Sequence, residues 1–205
     1  DLEIAWRWDT GDAAVEGAGS ARPGGNKVTP IYVNGNLYVS TPLSRVAALD
    51  PATGQTKWVF DPEAYKLGRP SPAGWQHRGV TYWDDGGDGR IYIGTGRLHV
   101  FALNATSGEP IERFGEGGSF DLLKGIYEEN DRRVMGHNAP VTIVNGIIVV
   151  GSTMFDQPTS PEMPRGVVQG IDARTGERKR VFNLVAQDGE FGVETWENDS
   201  WKYSG

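Results

Sequence analysis

The chain has 205 residues, enough for one sizeable domain or two small ones, and carries 29 glycines, seven tryptophans and no cysteine. A net charge of −7 with no basic cluster argues against a nucleic-acid partner, and the lack of cysteine excludes disulfides and thiolate metal sites. Moderate charge with many aromatics excludes a disordered chain, and no apolar run reaches membrane-spanning length.

The start, DLEI, has neither an initiator Met nor a signal peptide, so the sequence reads as mature, trimmed or a fragment. EIAWRWDTG, Glu3 to Gly11, reads as a lone outer strand left over from a preceding unit. Three four-stranded units follow, each with strands A to D. In the first (27–60), VTPIYV and LYVST flank an Asn34-Gly35 turn, and VAAL and TKWVF follow. In the second (78–114), GVTYW and IYIGT flank Asp88-Gly89. In the third (138–182), APVTIV and IIVVGS flank Asn145-Gly146. Asn-Gly and Asp-Gly between β-rich runs are strong hairpin signals. The tail, 183–205, starts no further unit.

The second half of each unit repeats one motif, apolar-x-Asp/Asn-x-x-Thr/Ser-Gly. The windows Val46–Phe60, Val100–Phe114 and Val168–Phe182 align without gaps. Each predicts a strand, a tight turn capped by Asp50, Asn104 or Asp172 and closed by Gly54, Gly108 or Gly176, then a second strand. Four-stranded units at this period predict an all-β chain of antiparallel propeller blades. A β-sandwich is the plainer alternative, but sandwiches do not normally repeat one turn motif three times. Three blades do not close a ring, so the remaining blades are expected in this chain's continuation or in another chain.

In an antiparallel blade the D-to-A connections and the B-to-C loops share one face. That face is expected to gather Lys27, His77, Arg78, His137, Asn138, Ser152, Thr153 and Asp156. The third B-to-C loop is 11 residues longer than the other two, and insertions on one face of a repeat protein often serve binding. Cationic donors, hydroxyls and a carboxylate suit a small polyanion held with a hard metal ion. Each also has a plain reading: Arg78 as a solvated arginine, Asp156 as a turn residue, His77 and His137 as hydrogen-bonded loop histidines. The tryptophans 58, 83, 196 and 201 read most simply as packing between blades. No Ser-His-Asp, HExxH, GxGxxG or P-loop pattern is present.

The strings TPIYVNGNLYVSTPLSRVAALDPATGQTKWVFDP, HRGVTYW, RIYIGTGRLHVFALNATSGEPIERFGEGGSFDL and ETWENDSWKYSG resemble the pyrroloquinoline quinone (PQQ)-dependent dehydrogenases. These are eight-bladed periplasmic quinoproteins that oxidise alcohols or sugars. The resemblance implies PQQ and Ca²⁺, or a lanthanide or Mg²⁺, as cofactors. It implies cofactor contacts from Arg78, from His137 and Asn138, and from Ser152 and Thr153, with Asp156 as a metal ligand. It implies a small alcohol or sugar substrate and a periplasmic location. Many family members have Glu where this chain has Lys27, which suits an acidic cofactor but reverses the charge. The vicinal cysteine pair of alcohol-oxidising members is missing. The family's catalytic Asp, its stacking Trp and a second metal ligand are expected beyond residue 205, so no catalytic residue is assigned here. The rival readings are a non-enzymatic propeller scaffold and a degenerate quinoprotein that has lost its cofactor.

Overall fold

The computed structural model describes residues 2–15, 18, 21–70, 73–155 and 163–203. Three four-stranded antiparallel sheets form in chain order. The first contains β1 (Ile31–Val33), β2 (Asn36–Ser40), β3 (Val46–Leu49) and β4 (Thr56–Phe60). The second contains β5 (Thr81–Asp84), β6 (Gly89–Gly94), β7 (His99–Asn104) and β8 (Ser119–Asp121). A short β9 (Met135–Gly136) precedes the third sheet, which contains β10 (Thr142–Val144), β11 (Ile147–Gly151), β13 (Val167–Asp172) and β14 (Arg178–Asn183). β12 (Thr153–Met154) leaves that sheet to pair with β9.

The repeated motif forms the turn it predicts. Oδ1 of Asp50, Asn104 and Asp172 each accepts two backbone N–H groups at 2.8–3.0 Å. The amides of Gly54, Gly108 and Gly176 donate back to the carbonyls of those three residues, each at 2.8 Å. The glycine also serves blade packing. Trp6 lies on Gly54 and donates from Nε1 to Pro51 O at 3.1 Å; Trp58 lies on Gly108 and donates to Ala105 O at 3.3 Å. A Cβ on Gly108 would stand 2.5 Å from the Trp58 ring, and its φ of +78° is in the left-handed region.

The third turn is met differently. Glu112 stands where Trp58 stands one window earlier, and Gly115 N donates to Thr175 O at 2.8 Å. Buried Arg90 Nη1 and Tyr92 Oη close the contact by donating to Ala173 O at 2.9 and 2.6 Å. Apolar layers fill the space between sheets. Tyr38, Val46, Ile91 and Leu103 pack between the first two, and Tyr92, Val100, Phe114, Ile148 and Ile171 between the second and third.

Three expectations change. Residues 3–11 form no strand, because no ladder partner is present for them among the described residues; Trp6 and Trp8 still dock on the first blade, Trp8 Nε1 donating to Thr56 Oγ1 at 3.0 Å. The outer strand of the second blade is Ser119–Asp121, not the 110–114 stretch. Phe114 turns inward to meet Tyr92, and the chain loops through three positive-φ glycines before pairing. The hairpin after β5 turns at Gly86-Gly87, both with positive φ, and Gly89 already pairs with Asp84.

Candidate functional site

The D-to-A connections of successive blades meet one another. Thr29 N donates to the Arg78 carbonyl at 2.9 Å. Gly79, at φ +147°, offers its Cα side to both Thr29 O and the Pro140 ring, so residues leading into all three inner strands touch at one point. Thr81 Oγ1 donates to Val141 O beside them. A Cβ at position 79 would stand a tight 3.0 Å from the Thr29 carbonyl, on a backbone conformation that L side chains rarely adopt, so glycine suits this junction beside Arg78.

Two histidines hold equivalent stations on this face. His77 is fully buried; its Nδ1 accepts from Gly79 N at 3.2 Å and lies 2.8 Å from Ser40 Oγ. Its Nε2 therefore carries the proton and donates to Gly94 O at 2.7 Å. Burial pushes the ring's pKa down to about 4, so it is neutral at pH 7. His137 repeats this one blade on. It packs on Gly94 and faces Gly151 O from Nδ1 at 3.0 Å and Ala139 O from Nε2 at 2.6 Å. Burial lowers its pKa too, although both carbonyls favour the protonated ring. Each histidine thus wedges between the ends of the B strands of two consecutive blades. Neither ring nitrogen of His137 is free for a ligand, so any cofactor contact there would use a ring carbon edge.

The remaining expected residues divide by exposure. Arg78 and Lys27 are exposed, and neither side chain has a hydrogen bond or ion pair among the described residues. Asn138 is half-buried. The buried Ser152 Oγ lies beside the Tyr127 hydroxyl but forms no hydrogen bond of ordinary geometry; Tyr127 donates instead to Arg165 O at 2.8 Å. Thr153 begins the β12 ribbon and commits its Oγ1 to Gly136 O at 2.9 Å. Asp156 lies outside the described residues. Among the described residues, no cluster of three His, Asp or Glu side chains could hold a metal.

Sequence reasoning missed the buried charges of this face. Asp12 accepts from Leu43 N at 2.9 Å and pairs with Arg45 at 3.4 Å. Arg97 and Arg132 are buried and exchange bonds, each guanidinium donating to the other's carbonyl. Arg132 is neutralised by Asp121 at 2.7 Å and Glu129 at 2.8 Å. Apart from the i,i+3 pair of Arg132 with Glu129, nothing local in the sequence marks these contacts, since their partners lie 11 to 35 residues apart.

An exposed arginine and lysine without side-chain partners among the described residues, a buried hydroxyl with unused capacity and a stiff inter-blade seam can receive an acceptor-rich anion. The family follows from comparison with known proteins. The family described as "PQQ: Glucose/ethanol/alcohol dehydrogenase, beta-propeller domain" matches residues 1–205. Quinoprotein glucose dehydrogenase A of Acinetobacter calcoaceticus is 27% identical over 92% of this chain and 25% of its own length. Quinoprotein glucose dehydrogenase of Escherichia coli K12 is 30% identical over 92% of this chain and 24% of its own. The solved quinohemoprotein alcohol dehydrogenase of Comamonas testosteroni superposes with a TM-score of 0.61 at 25% identity, covering 80% of this chain and 22% of that one. The chain therefore spans about a quarter of the length of the curated relatives it matches.

Proposed function

Because the chain belongs to the PQQ-dependent glucose/ethanol/alcohol dehydrogenase β-propeller family, we propose that it supplies three blades and part of the cofactor pocket of a periplasmic quinoprotein dehydrogenase. The complete protein would oxidise an alcohol or sugar. The observation that carries this reading is Arg78: its backbone lies where residues leading into three blades meet, and its exposed side chain has no partner among the described residues.

PQQ is flat and tricarboxylated, and when bound it supplies a quinone that accepts hydride from the substrate. Arg78 would bind a carboxylate or quinone oxygen, with Lys27 adding positive charge. Ser152 Oγ would donate a hydrogen bond. Thr153 and His137 would position the β9–β12 ribbon and the blade seam. Asn138 offers an amide beside them. Asp156 is the one ligand this chain would give a Ca²⁺-type ion; the other ligands and the base that takes the substrate proton would come from outside residues 1–205. The exposed Val144, Val149 and Val181 of the last blade would pack against a following blade.

The test is dye-linked oxidation of alcohols and sugars by the complete protein with PQQ and Ca²⁺. The 205 residues alone are expected to be inactive. Full activity from them would overturn the division of labour, and none from the complete protein under any cation would overturn the enzyme reading.

A further inference from the structure

The connections leading into β1 and β5 enclose a cleft of about 420 Å³. Both are D-to-A connections, so the cleft opens on the same face as Arg78. Trp75 and Tyr65, both buried, give it an aromatic floor. Arg22 and Arg69 line it, with Gln76 and Gly24. The two walls are tied together: Gly24 N donates to Trp75 O at 2.7 Å, and a Cβ on Gly24 would stand 2.4 Å from that oxygen.

Its two charged side chains, Arg22 and Arg69, are both cationic. Neither Arg22 nor Arg69 has an ion pair or side-chain hydrogen bond among the described residues, and the Trp75 indole N–H has no partner there. No Asp or Glu is among the described lining residues, although the chain as a whole is acidic by seven charges. Two guanidiniums match the bidentate geometry of a carboxylate, and the indole adds a neutral donor. The aromatic floor suits a ring or a short apolar body and offers nothing to a bare inorganic anion.

We propose that this cleft binds a small organic carboxylate, its charge on Arg22 and Arg69 and its body on Trp75 and Tyr65. The ligand could be a substrate carrying a carboxylate or an effector. In either case we take this site to be separate from the cofactor contact proposed at Arg78.

Benzoate is the probe, titrated calorimetrically into the complete protein without PQQ and then with it. Saturable binding is expected at millimolar concentrations, about tenfold weaker in Arg22→Gln or Arg69→Gln. Affinity should be unchanged by PQQ, and benzyl alcohol and phosphate should bind far more weakly. Circular dichroism confirms that the variants fold. Absent binding, equal binding of benzyl alcohol or phosphate, or unaltered affinity in the double variant would overturn the proposal. Displacement of benzoate by PQQ would overturn it too, by assigning the guanidiniums to the cofactor. If PQQ fails to bind while benzoate binds, only the cofactor reading falls. If binding is abolished in a substrate-turnover competition, the ligand is a substrate; if turnover changes without competition, it is an effector.

Discussion

His77 and His137 grip the same glycine from two sides. His77 donates to the Gly94 carbonyl at 2.7 Å, and His137 covers the Gly94 Cα so closely that a Cβ there would lie 2.4 Å from its ring. The seam beneath the proposed cofactor therefore depends on two buried imidazoles and one missing side chain.

The first consequence is acid sensitivity. His77 has a folded pKa of about 4 against an unfolded value of 6.5. Between those values the unfolded chain takes up a proton that the folded chain refuses. Stability is therefore complete above pH 6.5 and falls as the pH drops to 4, by about 3 kcal/mol from this residue. Denaturant unfolding of the complete protein across that range should show this slope, and His77→Gln should flatten it. An identical slope in the variant would refute the assignment.

Gly108→Ala tests the docking of one blade on the next. The new methyl would meet the Trp58 ring at 2.5 Å, on a backbone at φ +78°. The expected loss is about 2–4 kcal/mol. Gly35→Ala, at φ +76° but with open space around it, should cost less. Thermal denaturation of the two variants gives the comparison, and equal losses would mean that Trp58 contributes nothing beyond backbone strain.

The blades were legible because their signals are local. Asn34-Gly35 and Asn145-Gly146 turn where period-2 strands end, and Asp50, Asn104 and Asp172 cap the turns their spacing predicts. The departures are non-local. Phe114 leaves the expected strand because the space under Tyr92 is worth more to it than an edge position, and glycines 115, 117 and 118 permit the detour. Residues 3–11 carry a strand pattern, but a strand needs a ladder. The placement of Arg78 and His137 in the connections that lead into β5 and β10 was legible from the repeat. Which of the expected site residues are spent on the fold was not, because His137 meets Gly151 and Thr153 meets Gly136 across intervals of 14 and 17 residues.

Lys27→Glu separates a working site from a degenerate one. Lys27 is exposed and has no side-chain partner among the described residues, so the change should leave stability within about 0.5 kcal/mol. If Lys27 attracts the cofactor, PQQ affinity should fall about tenfold or more. Tighter binding of PQQ by the variant would mark Lys27 as the lesion of a quinoprotein that has lost its cofactor.

Equilibrium binding of PQQ to the complete protein, followed by quinone absorbance in the presence of Ca²⁺ or a lanthanide, tests the central claim most directly. One equivalent should bind, and Arg78→Gln should weaken binding by about tenfold or more while the fold is retained. No binding under either cation, or unchanged affinity in the variant, would contradict the claim that the blade junction at Arg78 is a cofactor site.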